Sequence, residues 1–426
     1  MRVHHRTILA QVAALALGIA AGGQAAAQQN RMGLTPDQMQ DINRTIIKTE
    51  AMEDAWETAG FKGLKITGYM DPTYIYDQNA NRAGFQFLSS EFSGYSDTPF
   101  FGNATITFTK ETDDGTTYTL QLQPLNGDHT ITAASVSIPL SDRQTRMIAG
   151  KVLDWSGYEY ADPVKSSLIT HNLLFDFTLP VAYTGAGLDI STGSWQLRTM
   201  LANVDSARAP EGKTAPAWVY RFDYWPEEFW GVGFAGVVGK ADNWNKTVDA
   251  DGEVADKSTA VLFEVDGYYN RGNWTFGGQL SYGTQKDAAN DGVSDAKWAG
   301  VSTTVGYFFT PRLQFLVRGD YINNEKNGGG LFTYTAFDDG AGVRADGVNG
   351  LGMDEKASAD CDAGEECKGA NRYAVSLGLK YALNPNAWLK FEYRYDGADQ
   401  DVFYDVKNEE YKKNNNLVGA ALVVFF

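Results

Sequence analysis

The stretch YAVSLGLKYALNPNAWLKFEYRYD, Tyr373 to Asp396, alternates between two kinds of side chain with a period of two. Successive side chains of a β-strand point to opposite faces, so this period predicts strands. Asn384-Pro385-Asn386 divides the stretch, as expected of a turn. The sequence therefore predicts an antiparallel hairpin with one wholly apolar face and one face that carries Lys380, Lys390, Glu392 and Arg394.

The connections between such segments distinguish a membrane barrel from a soluble antiparallel sheet, which also alternates. Tight turns fall near 112–115, 139–142, 191–194, 225–228, 270–273, 310–312 and 384–386. Long polar connections alternate with them at 78–100, 153–180, 205–215, 241–258, 283–297, 323–370 and 397–415. Short turns on one side and long loops on the other are the plan of outer-membrane barrels.

About sixteen segments lie between these connections, most of them close to the roughly 9–11 residues that a tilted membrane strand requires. They are 64–77, 101–110, 116–124, 131–138, 144–152, 181–190, 195–204, 217–225, 230–240, 259–270, 274–282, 298–309, 313–322, 371–383, 387–396 and 416–426. The faces of 144–152 are not assigned by its pattern. We predict an all-β fold, a transmembrane antiparallel β-barrel, over residues 63–426.

The last segment, LVGAALVVFF at 417–426, places Phe426, Val424 and Leu422 on one face. A terminal Phe with apolar residues at alternate positions resembles the assembly signal of outer-membrane proteins. The alternative is an ordinary C-terminal core strand. Because the backbone N–H and C=O groups of a strand edge would have no hydrogen-bond partner in hydrocarbon, we expect this strand to pair with the first.

The first 62 residues predict export and a short helix. A basic start, an apolar run from Ile8 to about Ala21 and small residues up to Ala27 are typical of a cleaved signal peptide at 1–27. The alternative, an anchoring helix, needs roughly 20 apolar residues. In 28–62, Thr35-Pro36 starts a helical pattern that ends at Gly60, which predicts a periplasmic helix. It is either a trimerising or cell-wall-facing element or a leader packed loosely on the barrel rim.

Composition narrows the class of protein. A net charge of −17 disfavours nucleic-acid binding, and 23 Phe, 22 Tyr and 10 Trp suit the aromatic girdles of a membrane barrel. Cys361 and Cys367 lie without further Cys or His at ligand spacing, so we expect a disulfide that staples the loop 323–370, and no zinc. The predicted location is the outer membrane of a Gram-negative bacterium.

Residues for catalysis are scarce. After signal removal only His129 and His171 remain, and neither accompanies a serine-nucleophile motif, so we expect no enzyme, no catalytic residue and no cofactor. A TonB-type transporter would need about 22 strands and a plug domain, so about sixteen strand segments disfavour that class of protein.

A sixteen-stranded barrel leaves a water-filled lumen, and charged strand positions are suited to line it. An Arg or Lys facing lipid near the midplane would cost about 2–4 kcal/mol. Strand parity therefore places eleven side chains inward: Arg198, Arg221, Asp223, Glu264, Asp266, Arg318, Asp320, Lys380, Lys390, Glu392 and Arg394. They either act on permeating ions or brace the wall in paired networks.

The connection 153–180, LDWSGYEYADPVKSSLITHNLLFDFTLP, is too apolar and aromatic for a loop in water. We expect it to fold into the lumen and narrow it. Its acids Asp154, Glu159, Asp162 and Asp176 would then face basic wall residues across a constriction and create a transverse field. The alternative is packing over the mouth or against a neighbouring subunit.

Several short motifs carry a family resemblance. Gly150-Lys151, Trp155–Glu159, His171–Leu174 and Tyr183–Gly185 resemble the central block of the OmpL-like β-barrel porin-2 group. The opening Gly68-Tyr69-Met70-Asp71 is similar to that group as well, and an uncharacterised proteobacterial outer-membrane family has the same layout. The resemblance implies a porin-type barrel over about 60–426, and the likeness to general porins implies a homotrimer. It implies no particular solute.

The function expected from these observations is passive diffusion of small hydrophilic solutes and ions. The alternatives are a non-conducting barrel whose surface loops bind a partner or adhere, and, more narrowly, a carbohydrate-selective porin. Expected partners are outer-membrane lipid, lipopolysaccharide and the barrel-assembly machinery. Cation or anion preference stays open, because acidic loops and inward arginines oppose each other.

Overall fold

The computed structural model describes most of the chain. The described residues are 60–88, 101–124, 131–205, 216–243, 257–289, 293–326, 331, 345–361 and 367–426, together with Arg44, Ile47, Lys48 and Ala51. Those four residues are helical and belong to the predicted helical segment 28–62. The predicted signal peptide and His129 lie outside the described residues. Two compact units are formed, Met1–Lys62 and Gly63–Phe426.

The second unit is built almost entirely of strands, as its alternating sequence predicts. The strands are β1 Leu64–Met70, β2 Thr73–Asp77, β3 Arg82–Gln86, β4 Ala104–Glu111, β5 Thr117–Leu122, β6 Ile131–Pro139, β7 Thr145–Leu153, β8 Ala182–Ser191, β9 Trp195–Val204, β10 Ala217–Glu227, β11 Trp230–Asp242, β12 Lys257–Arg271, β13 Trp274–Gln285, β14 Ala296–Thr310, β15 Leu313–Asn323, β16 Ala345–Asp346, β17 Leu351–Gly352, β18 Arg372–Asn384, β19 Ala387–Ala398, β20 Phe403–Asp405, β21 Glu410–Lys412 and β22 Asn414–Phe425. Two short helices are α1 Leu173–Thr178 and α2 Glu355–Ala359.

The main sheet closes on itself. Strand β22 pairs with β19 on one side and with β1 and β2 on the other, with Tyr69 opposite Phe425 and Thr73 opposite Ala421. Of the eighteen strands in this sheet, β1 and β2 follow one line and β3 and β4 the next, so sixteen strands surround the barrel. The predicted fold class and strand number are confirmed.

The second wall strand differs from the prediction. We expected a long connection at 78–100, but a tight turn at 78–81 leads straight into β3, and the insertion follows at 87–103, before β4. The Asp77 carboxylate accepts a hydrogen bond from the Ala80 backbone N–H at 2.9 Å, and Asn81 has a φ of 48°. This turn is polar and Asn-rich, so its composition is the same as that of a long loop.

The first wall strand is interrupted where the end of the insertion, Gly102 and Asn103, contacts it. The strand is interrupted at Asp71-Pro72, where proline has no N–H for the ladder. The Asp71 carboxylate accepts hydrogen bonds from the backbone N–H groups of Gly102 at 3.1 Å and Asn103 at 2.5 Å. Hydrogen bonds at the break therefore attach the end of the insertion to the wall.

The two faces of the wall have the chemistry that the hairpin predicts. Leu377 and Phe391 are exposed on the outside, whereas Ser376 and Arg394 are fully buried on the inside. Aromatic pairs such as Trp274 with Tyr307, at 4.7 Å between ring centroids, lie near the end of the wall that carries the tight turns. In the described part of the chain, no helix has the length and apolar character needed to cross a bilayer.

Small elements cover the opposite, long-loop end. They are the hairpins β16–β17 and β20–β21 and helix α2, which follows its N-cap Asp354. The predicted disulfide is confirmed: Cys361 and Cys367 are bonded, with 5.2 Å between their Cα atoms. It closes a short loop next to α2, within the predicted loop 323–370.

Placing a charge on the outer face tests the orientation of the wall. Leu377→Arg would point a guanidinium at lipid near the middle of β18 and should lower the free energy of unfolding by about 2–4 kcal/mol. The measurement is denaturant unfolding in lipid vesicles. The matched control is Gln121→Arg, which adds the same group to the lumen and should change stability much less. Equal losses for both variants would contradict this assignment of faces.

Candidate functional site

The segment 154–181 lies inside the barrel. It leaves the wall after β7 and returns at β8, and its contacts are with inward-facing wall side chains. Leu173, Leu174 and Phe177 are almost completely buried in one cluster with Trp298 and Ile322 of the wall. Burial of these apolar groups explains why so hydrophobic a connection is stable in a polar lumen.

Wall glycines let the segment approach closely. A side chain at Gly300 would collide with Leu174, and one at Gly378 would collide with Leu168. Both glycines face inward, next to outward-facing residues such as Val301 and Leu377. Glycine at these positions therefore provides the space into which the leucines fit.

Glu392 is the main acceptor for the segment's backbone. Its carboxylate accepts hydrogen bonds from the N–H groups of Ile169 at 2.7 Å and Thr170 at 2.8 Å, and from the Thr170 hydroxyl at 2.6 Å. Hydrogen bonds to a charged group are roughly twice as strong as neutral ones. One wall carboxylate thus holds two consecutive residues.

Three basic wall residues bind the same segment through its carbonyl groups. Arg318 donates to Thr170 O at 2.7 Å and His171 O at 2.8 Å, and Arg394 donates to His171 O at 2.7 Å. Lys390 donates to three carbonyl oxygens at 2.8–3.0 Å: those of Pro163, Ser166 and Leu168. These buried cations and Glu392 therefore hold the loop rather than face open water.

The opposite half of the segment is anchored to other strands. Gly157 N–H donates to Glu264 at 2.7 Å, and the Tyr158 hydroxyl lies 2.7 Å from Ser302 Oγ and 2.8 Å from Thr304 Oγ1. With the Glu392 contacts, the attachment extends around the inner wall from β12 to β19. The segment therefore covers one side of the lumen.

His171 is a structural group in this segment. Its Nε2 lies 2.8 Å from the carbonyl oxygen of Tyr160, and its ring stacks on Phe175 at 4.4 Å. Burial, followed by the nearby charges of Arg318 and Lys390, lowers the pKa of His171 to about 3. The ring is neutral near pH 7 and is enclosed.

The four loop acids of the predicted constriction have different partners. Glu159 forms an ion pair directly with Arg318 at 3.1 Å, and Asp162 accepts a hydrogen bond from Val164 N–H at 2.8 Å. Asp154 accepts hydrogen bonds from Ser156 and Tyr183, and burial raises its pKa. Asp176 is buried on α1. Glu159 therefore contacts a basic wall residue, whereas Asp154 and Asp162 accept hydrogen bonds from the segment itself and from Tyr183 of β8; the transverse field stays a prediction.

A second charged cluster lies on strands β9, β10 and β12. Arg221 donates to Asp266 at 2.6 and 3.0 Å and to Asp223 at 2.8 and 3.0 Å. Arg198 is held less firmly, since its ion pair with Asp223 is 3.4 Å long and its side chain is 28% exposed. The Arg198 guanidinium lies 5.4 Å from the centre of the Trp155 ring.

The remaining predicted wall residues are also on the inner face. Asp320 pairs with Arg318 at 3.2 Å and accepts from Ser302 at 2.7 Å. Lys380 lies 3.5 Å from the centre of the Trp388 ring, nearer the turn end of the barrel. All eleven predicted side chains face inward, but most of them bind the loop or one another.

Space remains beside the segment. A cavity of about 1310 Å³ is lined on one side by Thr105, Gln121 and Thr132 of the wall and on the other by Tyr160 and Lys165 of the segment. In the described residues no group of three or more His, Cys, Asp or Glu is placed to hold a metal ion.

Sequence reasoning left further charged groups of this inner face out of the predicted lining, among them Arg146, Arg372 and Asp396. Arg146 donates to Ser137 Oγ at 2.6 Å and Gly115 O at 2.8 Å. Its face was unassigned because the sequence of 144–152 has basic residues at positions of both parities, Arg146 and Lys151. Arg372 and Asp396 are paired at 2.7 Å, and the parity of the 373–396 hairpin already places both inward.

Removing the Glu392 carboxylate tests the anchor. Glu392→Ala leaves two backbone N–H groups and the Thr170 hydroxyl without this acceptor and removes the carboxylate 3.7 Å from Arg318, so the free energy of unfolding should fall by about 3–5 kcal/mol. Hydrogen exchange at the Ile169 and Thr170 amides should quicken. The control is Glu410→Ala, whose exposed pair with Lys412 at 3.3 Å should contribute about 0–1 kcal/mol. Unchanged protection at both amides would contradict the anchoring role.

Comparison with known proteins finds one matching family and many solved structures with a similar fold. The family model described as "Putative beta-barrel porin-2, OmpL-like" matches residues 63–426. None of the curated proteins matches the sequence.

Solved structures show the same fold at low identity. An anion-selective porin from Comamonas acidovorans aligns with 10% identity and a TM-score of 0.55, covering 85% of this chain and 99% of that one. The outer membrane channel DcaP of Acinetobacter baumannii aligns with 12% identity and a TM-score of 0.52, over 85% and 97%. OmpT of Vibrio cholerae, expressed in the outer membrane, aligns with 11% identity and a TM-score of 0.53, over 85% and 97%.

Proposed function

The chain belongs to the OmpL-like putative β-barrel porin-2 family, and on that basis we propose that it forms a passive-diffusion channel for small hydrophilic solutes and ions in the outer membrane of a Gram-negative bacterium. The observation that carries this proposal is the open space of about 1310 Å³ beside the loop inside the closed barrel. A barrel built only for stability would have its interior filled by side chains. Here the apolar part of the loop packs on one side and leaves a polar wall opposite.

The segment 154–181 is the constriction of this channel. Its attachments to Glu264, Arg318 and Glu392 hold it against the wall, so its position is set by many buried hydrogen bonds. Solutes then pass between Tyr160 and Lys165 on the loop and the Thr and Gln side chains of the wall.

The charge balance along this path favours anions. The loop acids Asp154 and Glu159 and the wall acids Asp223 and Asp266 accept hydrogen bonds or ion pairs. Arg198 is only weakly paired, and Lys165 is exposed beside the Tyr160 ring at 5.2 Å. Among these groups, Arg198 and Lys165 are the less compensated charges facing the lumen.

A carbohydrate-selective channel is the narrower alternative, suggested by the aromatic residues of 153–180. A sugar platform needs an open ring face, yet Trp155 contacts Tyr183 at 5.0 Å and is covered by Arg198. Phe175 stacks on His171. Packing occupies these two rings and leaves Tyr160 exposed beside the cavity, so the general channel is favoured; block of the conductance by saccharide titration would favour the alternative.

Assembly follows the porin pattern in this proposal. One of the similar structures, OmpT of Vibrio cholerae, is described as a trimer form, and we propose a homotrimer for this chain. Lipid, lipopolysaccharide and the barrel-assembly machinery are the proposed partners, with Phe426 in the assembly signal. The proposal includes no catalytic residue, no cofactor and no nucleic acid.

Single-channel recording tests the function. The purified protein in a planar bilayer should give ohmic conductance steps of uniform size, because the constriction is fixed by buried contacts. A folded but silent barrel would contradict the channel and favour the alternative of a non-conducting barrel whose surface loops bind a partner or adhere. Folding is checked by heat-modifiable migration on gels.

Neutralising Arg198 tests the selectivity. Arg198→Ala should shift the reversal potential in a salt gradient toward cations, because a weakly paired lumen cation is lost. The control is Arg271→Ala, which removes an exposed Arg beside Phe229 at the end of β12. Arg221→Ala gives a second comparison: it removes a cation and the partner of Asp266 and leaves Asp223 its pair with Arg198 at 3.4 Å, so its shift should be larger. Equal reversal potentials for wild type and Arg198→Ala would show a bracing role only.

A further inference from the structure

Two small hairpins at the long-loop end form what we name the mouth cap, residues 345–354 and 398–412. In each hairpin an Asp carboxylate organises the turn. Asp346 accepts from Val348 N–H at 2.9 Å and Asn349 N–H at 3.1 Å, and Asp405 accepts from Lys407 N–H at 2.9 Å. Both turns therefore have a defined shape.

The hairpins of the cap interlock. Tyr404 N–H donates to Gly347 O at 2.8 Å, which joins β20 to the turn of the β16–β17 hairpin. The Phe403 ring lies against Gly350, where a side chain would overlap it and where φ is 67°. The two hairpins are thus one unit.

The cap extends into the channel. Leu351 and Met353 are fully buried, and Leu351 belongs to the same apolar cluster as Leu174 and Phe177 of the inner loop. Asn349 lines the same cavity as the constriction residues. The β16–β17 hairpin therefore lies over part of the lumen rather than outside it.

Arg372 connects the cap to the inner loop. Its guanidinium lies 5.2 Å from the centre of the Phe177 ring and 5.1 Å from that of Phe403, and it pairs with Asp396 at 2.7 Å. A planar guanidinium is suited to lie between two aromatic rings. One buried wall residue thus contacts both the loop inside the barrel and the cap above it.

Backbone hydrogen bonds fix the cap to the barrel rim. Val406 N–H donates to Asn79 O at 2.9 Å and Ala370 N–H donates to Gly352 O at 2.8 Å. Within the cap, Asp354 N–H donates to the Gln400 side chain at 3.0 Å and joins its two parts. The cap is attached on two sides of the mouth, so it holds its place across the entrance.

We propose that the mouth cap is an outer size filter in series with the constriction loop, and that Arg372 is a positioning residue for it. The inference rests on the proposed channel function. Two restrictions in series add their resistances, and the outer one acts first on solutes arriving at the long-loop end. A defect in the cap therefore changes access from that end and leaves the other entrance as it was.

Sided polymer exclusion tests the filter. Phe403→Ala removes the ring between Gly350 and Arg372, so larger polyethylene glycols should enter from the long-loop side, and the conductance should rise. The matched control is Val406→Ala in the same hairpin, whose side chain is 52% exposed and should have no effect. Arg372→Lys keeps a cation for Asp396 but lacks the planar group, and should act in the same direction as Phe403→Ala.

The outcomes separate the filter from the channel. A conducting wild type with the same size limit in folded Phe403→Ala and Arg372→Lys would overturn the filter alone. An equal increase from both sides would also overturn it, because it would locate the change at the constriction. A silent wild type would overturn both proposals.

Discussion

Hydrocarbon offers no hydrogen-bond partner to a peptide group, and the architecture of this protein follows from that constraint. Every wall strand needs two neighbours, so β22 must return to β1 and β2. Closure with sixteen strands encloses water, which gives the inner face a solvent opposite to that of the outer face. The sequence alternates because the two faces contact different solvents: Leu377 and Phe391 face lipid outside, and Ser376 and Arg394 lie inside.

The interior shows how a polar lumen holds an apolar loop. Charged wall residues, which would be destabilising if they faced lipid, bind the main chain of the loop, as Glu392 does at Ile169 and Thr170. Inward glycines such as Gly300 then receive its leucines. Polar and apolar contacts thus act on the same segment, which gives the channel a rigid inner side and leaves its other side open to water.

Much of this fold was predictable, because a period of two and the contrast of short turns with long loops are local properties of the chain. The hairpin around Asn384–Asn386 and the inward position of Arg318 follow from parity alone. The interrupted second strand was not predictable, since the turn at 78–81 has the composition of a loop. The partners of Arg318 and Lys390 were also hidden: they are carbonyl groups, which every residue has, so no residue type marks them.

The broken first strand has a consequence for how the barrel is joined. The closing strand meets two separate segments, with Met70 opposite Val424 and Thr73 opposite Ala421, and Pro72 between them contributes no donor. A slip of two residues along an ordinary seam keeps every side chain on its proper face. Here such a slip would move the Asp71-Pro72 interruption away from the residues of β22 that lie opposite it. The interruption therefore permits a single register between the first and last strands.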